Sequence, residues 1–340
     1  MKELKLILNK LCNLDGVSGR EYAVRDYIMY YLKDIKDIEL KTDNLGNVIV
    51  KKIGKKRASK LIMLDAHMDE IGVIATFIED NGFIRFTNVG GIEPDVLISR
   101  KVRFNNTIGV IGIKPIHLTE QEEKSKMPSI DELYIDIGAK NKDDALKHIS
   151  LGDVGVFCGE FEDFGDGLFK SRAVDDRVGV AVLLKLLSED SEYDFYACFS
   201  AGEEIGLKAA GVAAANINPE IAIILEGTTA ADIASTPDYK KVCILKDGPA
   251  ISFMDKSSLY DKELYDLAFK QNIPCQAKAY VAGGNNSGSI ANAGNGVRVM
   301  TISLPTRYIH SASCVGAYID LENMFKLTKS MINSINEQER

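Results

Sequence analysis

The sequence predicts an α/β protein in which one α/β domain is split in two by an inserted all-β domain. Its 340 residues correspond to about two domains at roughly 150 residues per domain. Helix and strand signals alternate before residue 72 and after residue 168, whereas strand-like runs follow one another between them. We therefore predict a discontinuous domain of residues 1–71 and 169–340 around a β-rich domain of residues 72–168.

The first part of the chain alternates helix and strand signals. Leucine and isoleucine recur at helical spacing over residues 1–11, which predicts an amphipathic helix. Ser18 and Glu21 have the spacing of a capping box ahead of a second helix. The continuous apolar run at residues 61–64 is typical of a buried strand. Together these signals predict a mixed α/β layer.

The inserted part contains strand-like runs at residues 72–78, 83–86 and 110–113. Asp80-Asn81-Gly82 is a strong hairpin signal. After residue 170 the alternation returns, and the last third of the chain continues it. The predicted elements there are a helix at 176–187, a strand at 195–200, a helix after residue 206 and strands at 221–225 and 297–304.

The composition excludes several classes of protein. A hydrophobic fraction of 46% argues against a disordered chain, and a formal net charge of −8 repels phosphate backbones, so we expect no nucleic-acid partner. No apolar run approaches the roughly 18 residues of a membrane span, and charges interrupt the N-terminal helix, unlike a signal peptide. The six cysteines are at least 32 positions apart. We therefore expect reduced thiols and a cytoplasmic protein without a membrane partner.

Acidic and histidine residues follow five strand-like segments at the point where each segment ends. Because the carboxyl ends of strands in an open α/β sheet form one crevice, we expect these side chains to meet there. They are His67 and Asp69 after residues 61–64, Asp175 after 171–174, Glu203 and Glu204 after 195–200, Glu226 after 221–225, and His310 after 297–304.

The two imidazoles and three of these five carboxylates, those of Asp175, Glu204 and Glu226, form a donor set that suits Zn²⁺ better than Ca²⁺ or Mg²⁺. Five ligands serve two ions only if one carboxylate bridges them and a water or hydroxide completes the site. Each signal alone has an ordinary structural explanation. Asp175 resembles a helix cap, His67 a core histidine, and the adjacent Glu203 and Glu204 an exposed pair. Their combination predicts a metal site.

Seven segments identify a family resemblance: residues 66–72 (AHMDEIG), 90–94 (GGIEP), 133–139 (LYIDIGA), 175–179 (DDRVG), 203–207 (EEIGL), 225–228 (LEGT) and 306–311 (TRYIHS). In these segments and their order, the chain resembles the M42 metallopeptidases, the family of glutamyl and tetrahedral (TET) aminopeptidases. The resemblance covers nearly the whole chain. It implies a mixed-sheet, three-layer α/β/α domain of the phosphorylase/hydrolase-like type with a small inserted β-barrel.

The resemblance also implies a role for each site residue. His67 and Glu226 would bind one metal, Glu204 and His310 a second, and Asp175 would bridge both; Asp69 would orient His67, and Glu203 would act as general base. Two divalent ions per subunit, Zn²⁺ or Co²⁺, follow from this pattern. The resemblance further implies that the β insert is a dimerisation domain and that dimers assemble into dodecameric tetrahedral shells.

The sequence departs from the family pattern at two places. Many members read GGTDAG where this chain has residues 283–288 (GGNNSG), so an amide replaces an acidic position. After residues 310–311, relatives have proline and soon a glutamate, whereas this chain continues with residues 312–314 (ASC). We assign substrate binding to Gly283, Gly284, Asn285 and Asn286, and the preferred N-terminal residue of the substrate stays open.

These observations predict a dinuclear metal-dependent aminopeptidase that removes N-terminal residues from peptides, with a metal-bridging water as nucleophile and Glu203 as its base. A metal-dependent amidohydrolase or deacylase of N-acyl amino acids is the nearest alternative, and a non-catalytic assembly protein is another. Some relatives have been labelled endoglucanases, but glycosidases usually use two metal-free carboxylates. A serine hydrolase is disfavoured because no Gly-x-Ser-x-Gly segment occurs.

Overall fold

The computed structural model describes residues 1–119 and 126–337. Its α-helices are α1 (Lys2–Cys12), α2 (Tyr22–Leu32), α3 (Pro94–Leu97), α4 (Lys142–Ala145), α5 (Val174–Ser188), α6 (Lys208–Ile217), α7 (Lys262–Phe269), α8 (Ser287–Ala291) and α9 (Tyr318–Glu337). Its strands are β1 (Ile38–Thr42), β2 (Val48–Lys52), β3 (Ile62–His67), β4 (Gly72–Ile78), β5 (Ile84–Val89), β6 (Lys101–Phe104), β7 (Thr107–Gly112), β8 (Tyr134–Asp136), β9 (Val154–Phe157), β10 (Glu162–Phe164), β11 (Leu168–Ser171), β12 (Phe195–Ser200), β13 (Ile221–Thr229), β14 (Ala250–Ile251), β15 (Gln276–Ala277), β16 (Arg298–Thr306) and β17 (Cys314–Ala317).

An eight-stranded mixed sheet organises the larger part of the chain, in the order β1-β2-β12-β3-β13-β16-β14-β15. The central strands β12, β3, β13 and β16 are parallel to one another. Their carboxyl ends therefore lie at the same edge of the sheet. All six residues of β3 are buried, as expected for a strand covered on both faces, which explains the continuous apolar run in the sequence.

Helices cover both faces of this sheet. On β3, the side chains of Ile62 and Leu64 join a core that includes residues of α1, α5 and α9. The intervening Met63 joins a second core with residues of α6 and α8. Since successive side chains of a strand point to opposite faces, these two cores lie on the two sides of the sheet. The three-layer α/β/α arrangement is confirmed.

The second structural unit is a closed antiparallel barrel of six strands in the order β4-β5-β8-β7-β6-β9. It lies in the chain between β3 and β12, which are neighbours in the large sheet. Gly82 adopts a φ of 89° in the hairpin between β4 and β5, as the Asp80-Asn81-Gly82 signal predicts. The barrel has its own core, which includes Val73, Phe86, Phe104, Ile111 and Ile135. The predicted fold class, an α/β domain with an inserted β-barrel, is confirmed.

The predicted cap of α2 is wrong. Helix α2 begins at Tyr22 with Glu21 at its N-cap, and no side chain caps it. The Ser18 hydroxyl instead donates to Asp69 Oδ2 over 2.5 Å, and Glu21 Oε1 accepts from the backbone N–H groups of Gly19 and Gly202. Ser18 and Glu21, which resembled a capping box, therefore form hydrogen bonds to the loops that follow β3 and β12.

The six cysteines are free thiols, in agreement with the sequence. Across residues 1–119 and 126–337, no helix has the length and apolar character needed to cross a bilayer.

Candidate active site

The predicted site residues come together at the carboxyl edge of the large sheet. His67 is the last residue of β3, and Glu226 lies within β13, its parallel neighbour. Glu203 and Glu204 follow β12, and His310 follows β16. Asp175 lies in the first turn of α5. The four parallel strands and one helix start therefore supply all of these side chains to one location.

Asp175 lies between the two imidazoles. Its Oδ1 is 3.5 Å from Nε2 of His67, and its Oδ2 is 3.5 Å from Nε2 of His310. Glu226 Oε1 is 3.2 Å from Nε2 of His67 on one side. Glu204 Oε1 is 3.4 Å from Nε2 of His310 on the other. The site thus has two halves that share a single carboxylate.

Each imidazole is oriented through its second ring nitrogen. Nδ1 of His67 is 3.1 Å from the backbone oxygen and 3.3 Å from Oδ1 of Asp69. Nδ1 of His310 is 2.7 Å from the backbone oxygen of Gly91, which follows β5 of the barrel. Both rings therefore direct Nε2 toward the shared carboxylate, the arrangement that metal-binding histidines require.

Asp69 also fixes the loop that carries the two glutamates. Its Oδ1 accepts from the backbone N–H of Glu203 over 3.0 Å, and its Oδ2 accepts from that of Glu204 over 3.1 Å. The hydroxyl of Ser18 donates to the same Oδ2. Because this carboxylate is fully buried, it can hold His67 and the glutamate loop in one geometry. Ser18 was missed as a site residue because its spacing suggested a helix cap.

The two adjacent aspartates at the start of α5 have different surroundings. Asp175 faces the imidazoles, and the backbone N–H of Gly227 donates to its Oδ1 over 3.2 Å. Asp176 is fully buried; its Oδ1 accepts from the N–H of Gly179, and its Oδ2 accepts from the N–H of His67. The peptide bond between them is cis. Asp176, a support for the His67 backbone, was not predicted from sequence, although its place beside Asp175 was a signal.

Charge is concentrated strongly in this site. Burial raises the pKa of Glu203 to about 8 and raises the pKa of Glu226 well above its ordinary value. Burial opposes the ionisation of Asp175, but hydrogen bonds from the two imidazoles hold its pKa well below the usual range. Burial likewise opposes the protonation of His310, yet Asp175 and Glu204 raise its pKa to about 11. The packed carboxylates therefore favour a cation between them.

The donor atoms fit divalent cations. Three overlapping sets each bring one ligand atom per residue within 4.8 Å of the others: His67 with Asp175 and Glu226, Asp175 with Glu204 and His310, and His67 with Glu203 and Glu204. Glu226 Oε2 is buried and has no hydrogen-bond partner among the described residues. Imidazole nitrogens and carboxylate oxygens in this combination are typical ligands of transition metals such as zinc.

A cavity of about 470 Å³ opens onto these residues. Gly283, Gly284 and Asn285, which the sequence analysis assigned to substrate binding, line it, and so does Lys278, which sequence reasoning did not select. Asn286 is not among the lining residues. Its buried side-chain amide donates to Asp65 and to Ser200, behind the strand ends. The amide that replaces the family's acidic position therefore lies in the protein interior.

Comparisons with known proteins agree with this geometry. Residues 46–327 match the family model described as M42 glutamyl aminopeptidase. A putative aminopeptidase of Acetivibrio thermocellus is 38% identical over 327 residues, covering 94% of this chain and 96% of the relative.

Solved structures are similar over nearly the full chain. An aminopeptidase of the archaeon Desulfurococcus kamchatkensis superposes with a TM-score of 0.91 and 34% identity, covering 98% of this chain and 95% of the other. The TET1 peptidase of Pyrococcus horikoshii has a TM-score of 0.84 and 30% identity, covering 97% and 99%. The chain therefore belongs to the M42 aminopeptidase family and is a hydrolase that acts on peptides.

Proposed function

We propose that this chain is a dinuclear metal-dependent aminopeptidase. His67 and Glu226 would hold one divalent cation, and Glu204 and His310 would hold the second. Asp175 would bridge the two. Zn²⁺ and Co²⁺ both accept these ligands.

One observation carries this proposal: the two oxygens of Asp175 each face a different imidazole, both at 3.5 Å. A carboxylate that serves one cation, or a helix cap, has no reason to lie between two histidines that each have a second carboxylate. The pairing of Glu226 with His67 and of Glu204 with His310 repeats the same donor set on both sides. This symmetry favours two cations.

Glu203 would be the general base. When bound, the cations supply Lewis acidity, which polarises the scissile carbonyl and makes water more acidic. Glu203 lines the same cavity as Asp175 and Glu204, and its backbone is held by Asp69. Its carboxylate would take a proton from the attacking water and return it to the leaving amine.

The cavity would select the ends of peptides. Four carboxylates line it, from Asp175, Glu203, Glu204 and Glu226, and Glu203, which is not a proposed metal ligand, would attract the positive charge of a free α-amino group. Gly283, Gly284 and Asn285 would contact the substrate on the neighbouring wall. An acylated N-terminus lacks that charge and would be excluded.

We also propose that the chain forms homo-oligomers through its β insert, residues 72–168. The TET1 peptidase of Pyrococcus horikoshii can assemble into a tetrahedron or a large octahedral shell. In this chain barrel strand β7 exposes two large apolar side chains, Ile108 and Val110, which alternate positions place on the same face of the strand. A contiguous exposed apolar patch is typical of an interaction surface.

A substrate panel tests the proposed activity. The purified protein is stripped with a chelator and reloaded in turn with Zn²⁺, Co²⁺ and Mn²⁺, and hydrolysis of leucine anilide is compared with that of N-acetyl-leucine anilide. We expect hydrolysis of the free-amine substrate only, its loss with the chelator and its return with metal. N-acetyl-leucine is the third substrate, and its cleavage to acetate and leucine without hydrolysis of either anilide would identify a deacylase and overturn the proposal.

A further inference from the structure

We propose that Asn286 is a positioning residue for the proposed reaction. Its buried amide, paired with Asp65, holds one wall of the cavity in place relative to the strands that carry the proposed metal ligands. We call residues 283–285, which line the cavity, the substrate wall. The inference rests on the proposed aminopeptidase function, and it gives Asn286 an effect on the substrate that acts through the position of this wall.

The substrate wall consists of irregular backbone. Residues 278–286 lie between β15 and α8, outside any helix or strand. The backbone oxygen of Gly283 accepts from the N–H of Lys256 over 2.9 Å, and the side-chain amide of Asn285 donates to Thr301 Oγ1 over 3.3 Å. A segment without a backbone ladder keeps its place only through isolated hydrogen bonds of this kind. Each of them therefore influences where the wall lies.

Asn286 links the wall to the two strands that lead into the site. Its Nδ2 donates to Asp65 Oδ2 over 2.8 Å and to Ser200 Oγ over 2.9 Å. Asp65 lies in β3, two residues before His67, and Ser200 ends β12, where it is the parallel partner of His67. One amide group thus sets the distance between the substrate wall and the proposed metal ligands.

Burial makes this link strong. Asn286 is 1% exposed, and Asp65 and Ser200 are fully buried. A hydrogen bond from an amide to a carboxylate is charge-assisted, and in a buried site it is stronger than in water. Asn286 Oδ1 has no hydrogen-bond partner within the described parts of the chain. The hold of this side chain therefore depends on its two Nδ2 bonds.

Asp65 and Asn286 require one acid and one amide between them. Two carboxylates at these positions would repel each other, and two amides would lack the charge-assisted bond. An exchange of the two side chains conserves one charge and one pair of N–H donors. The hydroxyl of Ser200 can rotate to serve either arrangement. The exchange should therefore preserve the link, whereas a change at one position alone should break it.

Kinetics of leucine anilide hydrolysis by the metal-loaded protein test the inference. Asn286→Leu keeps the approximate volume of the side chain and removes its N–H donors. We expect kcat/KM to fall by about 10- to 100-fold, mostly in kcat, because a displaced wall misplaces the scissile carbonyl of a substrate that still enters. Metal content should equal that of wild type, since Asp69 and Asp176 still hold His67.

Asn336→Leu is the matched control for a purely structural effect. Asn336 is also buried, and its Oδ1 accepts from the backbone N–H groups of Ser59 and Lys60. These residues precede β3, whereas His67 ends it, so the control lies at the opposite edge of the sheet. Both substitutions should lower the melting temperature, but Asn336→Leu should keep the wild-type kcat and KM.

The exchange of the two side chains is the second test. Asn286→Asp places two carboxylates in contact and should lower kcat/KM at least as far as Asn286→Leu. Adding Asp65→Asn to Asn286→Asp should restore kcat/KM to within about threefold of wild type, because the effects of two residues in contact are not additive.

The outcomes separate this inference from the proposed function. If the wild type does not hydrolyse leucine anilide, the aminopeptidase function fails, and this inference fails with it. If the wild type is active and Asn286→Leu keeps its kcat and KM, only the role of Asn286 is overturned. Should Asn286→Leu not fold, the exchange decides: a double variant as inactive as Asn286→Asp, folded or not, contradicts the inference.

Discussion

At two places in this site, adjacent acidic residues have different surroundings and different proposed roles. Asp175 contacts both imidazoles, whereas its neighbour Asp176 accepts from backbone N–H groups of His67 and Gly179. Glu204 lies beside His310, whereas Glu203 has a raised pKa that burial causes. Chain neighbours at a strand end or a helix start point in different directions, so one can bind a cation while the other carries a proton.

The pKa of Glu203 predicts the direction of the pH dependence. Burial raises it from the ordinary value of 4.5 to about 8, and bound cations would lower it within that interval. Since a general base acts in its deprotonated form, kcat/KM for leucine anilide should increase as pH rises from about 4.5 toward about 8. A pH profile that is flat or falling across this interval would count against Glu203 as the base.

At the scale of single residues, the sequence predicted those site residues that lie directly at the end or the start of a strand or helix. His67, Asp175 and Glu226 were found because each ends or begins a strongly patterned segment. Asn286 was assigned to substrate binding and Lys278 was not selected, and the positions of both depend on how an irregular loop folds against the sheet. Asn286 faces Asp65 in the interior, and Lys278 faces the cavity, and no local pattern distinguishes these two outcomes.

Three elements meet at a buried charge cluster beside the site. Glu70 follows β3, Arg172 follows β11, and Arg177 lies in α5. Glu70 Oε2 accepts from Arg172, and its Oε1 accepts from Arg177 over 3.1 Å and from the backbone N–H of Gly16 over 3.0 Å. This cluster fixes the end of β3, and hence His67, relative to the start of α5, where Asp175 lies.

Removing the central charge of this cluster should destabilise the protein. Glu70→Gln leaves two buried guanidinium groups without their shared carboxylate, so we predict a loss of about 3 kcal/mol in the free energy of unfolding, measured by urea denaturation. Asp266→Asn is the control, since its ion pair with Lys262 is exposed and should be worth less than about 1 kcal/mol. Equal effects of the two substitutions would show that the cluster does not fix these elements.

The sequence largely predicted whether a segment forms a helix or a strand. It predicted less well the residues at which these helices and strands begin and end. The segments that form β3, β12 and β13 are apolar and largely buried, so their residue pattern predicts strands directly. The start of α2 was predicted incorrectly, because Ser18 finds a stronger partner in Asp69, which is far away in sequence. Such a tertiary hydrogen bond overrides a local capping signal.

At the scale of the whole molecule, the barrel and the large sheet contribute jointly to the site. His310 follows β16 of the sheet, and its ring is oriented by Gly91, which follows β5 of the barrel. The order of motifs predicted that the chain must return from an insert to complete the ligand set. Residues 90–94 are one of the family segments, but their sequence did not show that Gly91 orients His310, because Gly91 acts through a backbone oxygen that any residue type has.

The proposed assembly predicts the effect of a charge on the barrel surface. Ile108 is 56% exposed on β7, and Ile108→Asp would place a carboxylate in the proposed interface. Light scattering after gel filtration should show an oligomer for wild type and a smaller species for this variant. Tyr30→Asp, on the exposed side of α2, should keep the wild-type mass. A wild-type monomer, or an unchanged mass for Ile108→Asp, would contradict a barrel-mediated assembly.

The most direct test of the account is the behaviour of Glu203→Gln. This substitution removes the proposed base and leaves all five proposed metal ligands in place. Metal content by mass spectrometry and leucine anilide turnover are measured on the same sample, with exposed Glu263→Gln as the control. We predict two equivalents of metal with a loss of about 100- to 10,000-fold in kcat. Near-normal turnover by Glu203→Gln with full metal content would contradict the assignment.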